Sequence, residues 1–103
     1  MSGRLVAREG ARTWVVALAS EALVLGRAEV AAVRATFAGT SQQHCRLELV
    51  QGSWWAVDLN STNGTFVNGQ RVGTARLRSG DRIKLGRCVL GFSLQLAAHS
   101  GRR

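Results

Sequence analysis

Apolar and polar positions alternate along most of this chain. In "HCRLELV", Cys45, Leu47 and Leu49 fall on one side and His44, Arg46 and Glu48 on the other, the period of two that a β-strand imposes. The same period puts Ile83 and Leu85 inward in "DRIKLG" and places Leu90, Phe92, Leu94 and Leu96 on one face of "VLGFSLQL". In "WWAVDL" it sends Trp55, Val57 and Leu59 inward and Trp54, Ala56 and Asp58 outward. "RTWVVAL" and "EALVL" are nearly continuous apolar runs. Only "RAEVAAVRATFA" has the alanines of a helix, and it lacks both an N-cap and a 3.6-residue stripe. It reads as a loop carrying one short strand around Val33 to Ala35.

The punctuation between runs is that of hairpins. Proline is absent and the 12 glycines sit where runs end. "VNGQ" carries the Asn-Gly pair that a type I′ turn prefers, and "RSGD" puts glycine at a turn position. Short strands at 8 to 12 residue spacing predict an all-β fold, an antiparallel β-sandwich. At 103 residues there is material for one core, so residues 1–97 are expected to form a single domain and 98–103, "HSGRR" with the residue before it, a flexible tail.

Charge adds an expectation about partners. The net charge of +8 comes from 14 basic residues against six acids, a balance that favours an anionic partner. All the basic residues but Lys84 are arginine, for which genome composition is the competing explanation. No stretch has the roughly 20 apolar residues of a membrane-spanning helix, and "MSGRLVAREG" does not read as a secretory signal. A cytoplasmic home is therefore expected, with Cys45 and Cys88 as buried, reduced thiols.

Three polar segments interrupt the strands: "GR" at Gly26-Arg27 after "EALVL", "SQQH" at Ser41 to His44 before "CRLELV", and "STNG" at Ser61 to Gly64. With "NG" at Asn68-Gly69 and "SGDRIKLG" at Ser79 to Gly86, this ordered set, from about Leu23 to Leu96, resembles the forkhead-associated (FHA) domain. The resemblance implies a sandwich of about eleven strands whose loops at one end bind phosphothreonine in an extended peptide, without catalysis and without a cofactor. A phosphothreonine carries about −1.5 to −2 charges and three acceptor oxygens, so its receptor needs a cation and fixed donors. An arginine fork and a serine hydroxyl on separate loops meet that need.

By the resemblance, Arg27 and Ser41 are the phosphate-binding pair. Thr62 helps line the phosphothreonine pocket, and Asn63 grips the peptide backbone with an amide that both donates and accepts. Gln42 stands where the family often has a cation or an Asn on the phosphate; it can donate but adds no charge. His44 is implied to brace the loops, Gly26, Gly64 and Gly69 to occupy turns, and Asn68 to be a hairpin residue.

Other chemistry is poorly supplied. Ser41, His44 and Cys45 lack the third, orienting group of a catalytic constellation, and the two histidines and two cysteines lack zinc spacing, so no metal is expected. One ring of Trp54-Trp55 must point outward, where a lone surface aromatic is the simpler reading than a base-stacking platform. The expectation is a monomeric, non-enzymatic phosphopeptide-binding module. A phosphate-independent interaction or oligomerisation domain on the same fold, and less so a basic nucleic-acid binder, remain as alternatives.

Overall fold

The computed structural model describes residues 2–18, 21–27, 33–34 and 39–95, which build two packed β-sheets. In chain order the strands are β1 (Ser2–Glu9), β2 (Arg12–Ala17), β3 (Ala22–Gly26), β4 (Val33–Arg34), β5 (Cys45–Val50), β6 (Ser53–Asp58), β7 (Thr65–Val67), β8 (Gln70–Val72), β9 (Thr74–Arg76), β10 (Arg82–Leu85) and β11 (Cys88–Gln95). One sheet has the order β2-β1-β11-β10-β7-β8 and the other β4-β3-β5-β6-β9. Pairing is antiparallel throughout, except that the two-residue β4 runs parallel to β3. That short strand falls on the first two residues of the Val33 to Ala35 expected; the rest of "RAEVAAVRATFA" after Arg27, Leu96 and the tail 98–103 lie outside the described residues.

Hairpin chemistry fixes the registers. Asn68 and Gly69 have φ of 50° and 86°, the two positive values of a type I′ turn, and they close Val67 on Gln70 across β7 and β8. Gln51 and Gly52 make the same turn between β5 and β6. Asn68 does more than turn the chain. Its side-chain amide donates to Asp81 at 3.0 Å and its carbonyl accepts from the Arg82 amide at 3.0 Å, tying the hairpin to the start of β10.

The core lies between the sheets. Leu5, Ala7, Val67, Ile83, Leu85, Cys88, Leu90 and Phe92 from one sheet meet Leu25, Cys45, Leu47, Trp54 and Ala56 from the other. One expectation is overturned. Trp54 and Ala56 point inward and Trp55 and Val57 outward, the reverse of the alternation read from "WWAVDL". The cause is register: Leu47 pairs with Ala56 and Leu49 with Trp54, and residues directly opposite in an antiparallel pair share a face. Asp58, opposite Cys45, accordingly faces the interior at the end of the sandwich.

There Asp58 organises the turn that follows it. Its carboxylate accepts from the Ser61 hydroxyl at 2.6 Å, the Ser61 amide at 3.1 Å and the Thr65 hydroxyl at 2.7 Å. Ser61 Oγ in turn accepts from the Gly64 amide at 3.0 Å. Burial alone would raise the Asp58 carboxyl, but the hydrogen bonds from Ser61 and Thr65 outweigh it and hold the group below its ordinary 3.8. Cys45 and Cys88 are buried free thiols. Burial pushes Cys45 up to about 12, and burial with the nearby Glu9 charge pushes Cys88 up to about 11.

Two outcomes are expected. A carboxyl depressed in the folded state stabilises it above its unfolded pKa, and that stability is lost as pH falls through the folded value. Thermal unfolding of the wild type should therefore drop steeply below about pH 4, whereas Asp58→Asn should be less stable at neutral pH and respond less to acid; parallel pH profiles would refute the assignment. At pH 8 the native protein should leave both thiols unmodified by Ellman's reagent until denaturant is added, since the thiolate is the reactive form. Immediate labelling of the native protein would show that the burial is wrong.

Candidate functional site

Two carbonyls explain the glycine that ends β3. A Cβ on Gly26 would collide with the carbonyl oxygen of Gln42 and lie 2.9 Å from that of Ser41, so only glycine lets the loop before β5 pass this closely. The approach is stitched by backbone bonds: the Arg27 amide donates to Ser41 O at 2.9 Å and the His44 amide to Leu25 O at 2.9 Å. The loop thus extends the β3–β5 ladder beyond the ends of the strands, and Arg27 and Ser41, distant in sequence, become neighbours. Arg27 is exposed, and its Nε donates to the carbonyl of Thr40 at 3.1 Å. Thr40 is itself buried, its hydroxyl donating to Leu85 O at 3.3 Å.

His44 is wholly buried, beneath the loops and not on the open face that alternation suggested. Its Nδ1 accepts from the Ser41 amide at 3.1 Å, and its Nε2 lies 2.7 Å from Gly64 O. Because Nδ1 accepts, Nε2 must carry the proton and donate, which fixes the neutral tautomer. The imidazole therefore joins the loop before β5 to the turn between β6 and β7. A second bond joins the same two loops at the surface: Ser41 Oγ accepts from the Thr62 amide at 3.1 Å. Having accepted there, the hydroxyl keeps its own proton free to donate outward. A third link is Asn63, whose amide donates to Gly39 O at 3.0 Å and retains its carbonyl and a second N–H.

Arg27, Gly39, Thr40, Ser41, Thr62 and Asn63 line one shallow cavity of about 270 Å³. Four of the five residues expected to contact ligand, Arg27, Ser41, Thr62 and Asn63, are thereby brought together. Gln42 stands outside that lining, exposed, with its backbone carbonyl against Gly26. Larger concavities lie on the outer faces of both sheets; the small one is singled out by convergent donors, since volume alone carries no chemistry. Gly64, with φ of 93°, presents Asn63, and a Cβ there would meet the Arg71 guanidinium at 2.5 Å.

Some of the machinery escaped the sequence reading. Asp58, Ser61 and Thr65 hold the "STNG" turn from below; the Asp-x-x-Ser spacing of an Asx turn was the available signal. Thr40 and Gly86 were also missed. A Cβ on Gly86 would lie 2.7 Å from Thr40 Oγ1, so the turn after β10 forms the underside of the loop that bears Ser41. No group of three or more His, Cys, Asp or Glu side chains able to hold a metal occurs among the described residues.

Comparison with known proteins gives the arrangement a lineage. The family model of the FHA domain matches residues 23–86. The chain is similar to the FHA domain-containing protein FhaB of Mycobacterium tuberculosis, 33% identical over 88 residues that cover 84% of this chain and 57% of that protein. It is also similar to the glycogen accumulation regulator GarA of Mycolicibacterium smegmatis, 38% identical over 52 residues, 50% of this chain and 33% of that one. Among solved structures, the FhaA FHA domain complexed with the intracellular domain of Rv3910 superposes with a TM-score of 0.78 at 33% identity, covering 88% of this chain and 99% of that chain. The FHA domain of a study of phosphothreonine-dependent FHA interactions superposes with 0.82 at 31% identity, covering 93% and 99%. Since the match spans more than half of the chain and the fold agrees along most of it, this chain belongs to the forkhead-associated domain family.

Proposed function

We propose that this domain is a non-catalytic module that binds phosphothreonine in an extended protein segment and recruits partners already phosphorylated by a Ser/Thr kinase. The observation that carries the reading is the shared cavity of Arg27 and Ser41, which residues from two different loops line together. Arg27 supplies charge and a planar fork for phosphate oxygens, Ser41 a short donor, and Thr62 a wall for the threonine side of the pocket. Asn63 offers its remaining carbonyl and N–H to the backbone of the bound segment. Gln42, outside the cavity's lining and uncharged, takes a subordinate part.

Family membership supports the same reading, as does the likeness to a domain studied for phosphothreonine-dependent interactions. Two buried free thiols suit a reducing cytoplasm, and the proposal is for a monomeric module. This chain spans little more than half of FhaB, so the whole-protein role of such relatives is not transferred to it.

Hydrogen bonds to a charged group contribute about 1.5–3 kcal/mol each. Replacing Arg27 by alanine should therefore weaken binding to a phosphothreonine peptide library roughly ten- to hundredfold, measured by fluorescence anisotropy, while the unphosphorylated library binds neither protein. Equal binding of phosphorylated and unphosphorylated peptides would sink the proposal. The two Asn-Gly pairs should separate binding from stability. Asn63→Ala should lose affinity with its melting temperature shifted by no more than about 3 °C, whereas Asn68→Ala, which loses its bonds to Asp81 and Arg82, should cost about 1–3 kcal/mol of stability and keep its affinity. The opposite pattern would reverse the two roles.

A further inference from the structure

The two outer faces of the sandwich differ in charge. On the five-stranded sheet, Glu48, Arg46, Trp55 and Arg76 share the surface, and Arg46 and Glu48 form an ion pair at 3.2 Å. On the six-stranded sheet, Leu5, Ala7, Ile83, Leu85, Leu90 and Phe92 face inward, which turns Arg4 and Arg8 of β1, Arg82 and Lys84 of β10 and Arg71 of β8 outward. All five are exposed. No acidic side chain shares that face among the described residues: Glu9 is buried on the opposite side and Asp81 is engaged with Asn68 and Arg78.

Register arranges these cations in rows. Arg8 pairs with Val89, Val89 with Lys84, Lys84 with Phe66, and Phe66 with Arg71, so three cations stand across the sheet at alternate strands, about 9–10 Å apart. In the next row Val15, Val6, Gly91 and Arg82 lie side by side. Gly91 leaves a notch there: a Cβ on it would meet nothing within 4 Å. The resulting concavity of about 410 Å³ has Val6, Val89 and Gly91 as its floor, with Arg8 and Arg82 at its rim.

We infer that this face is a docking surface for an acidic protein segment, which seats one aliphatic side chain over Gly91 and places carboxylates on Arg8, Arg82 and Lys84. A cation-only face attracts any polyanion, but an aliphatic notch between two guanidiniums suits a side chain flanked by carboxylates. The notch has no ring in its lining for a base to stack on, Phe66 lying two strands away between Lys84 and Arg71, and no extended apolar surface for lipid. The inference stands apart from the phosphothreonine reading, because neither Arg27 nor Ser41 takes part.

The test uses the full chain at 150 mM salt and a fluorescein-labelled, unphosphorylated peptide of aspartates and glutamates around one central leucine, with a phosphothreonine peptide of uncharged flanks in parallel. The acidic peptide should bind the wild type and lose about tenfold or more in affinity to Arg8→Gln/Arg82→Gln, which removes two charge-assisted contacts. Gly91→Ile should also lose affinity: it fills the notch, leaves the charge unchanged and places a β-favouring residue in a strand, so thermal unfolding will show it folded. Both variants should bind the phosphothreonine peptide as the wild type does. Should that peptide fail with every protein, the phosphothreonine reading falls and the acidic-segment arm is still read. Acidic-peptide affinity unchanged by either variant overturns the inference. So does tighter binding of duplex DNA or phosphatidylserine vesicles than of the peptide.

Discussion

A single buried imidazole holds together the loops of the candidate site at one end of this sandwich. His44 uses both ring nitrogens and both backbone groups: Nδ1 accepts from Ser41, Nε2 donates to Gly64, its amide donates to Leu25 and its carbonyl accepts from Leu59. A buried polar group left without partners costs about 1–3 kcal/mol, so a wholly buried histidine is tolerable only when all of these bonds form together. The loops must then take one arrangement. Gly26, which lets the strand and the loop touch, and Asp58, which fixes the turn that carries Gly64, are conditions for the imidazole to be satisfied on both sides.

How much of this the sequence revealed depended on whether local pattern or distant pairing decides the structure. β5 and β10 alternate cleanly because, the terminal Val50 apart, only one parity is apolar, and their inward faces followed from period two alone. β6 has apolar residues at both parities, Trp54 and Ala56 on one side, Trp55 and Val57 on the other, so alternation had no preference to express. The pairing of Leu47 with Ala56 decides it, a contact that no window along the chain contains. Asn68-Gly69 was legible as a turn because its chemistry is local, whereas its grip on Asp81 and Arg82 spans more than ten residues. The polar loops were recognised as a set from order and spacing, but Asp58 and Thr65 beneath them looked like ordinary strand ends, and the support that Ser61 gives from within its own loop was not legible.

The charge surplus also acquires a location. A count of +8 says nothing of where the cations stand, and arginines at every second strand position could have fallen on either sheet. Parity and register gather four arginines and Lys84 on one face, whereas the other carries Arg46 and Arg76 beside Glu48. Arg71, which packs against Gly64, brings the edge of that face up to the turn that carries Asn63.

The bonds linking Ser41 to Thr62 and Asn63 to Gly39 tie the loops of the candidate site directly to one another. A site whose loops are already tied to one another need not fold around what it binds, so little conformational entropy is lost on association. Encounter can then proceed at the rate that diffusion and charge allow, and the lifetime of a complex is set by dissociation alone. A domain built this way would follow the rise and fall of phosphorylation with no slow step of its own.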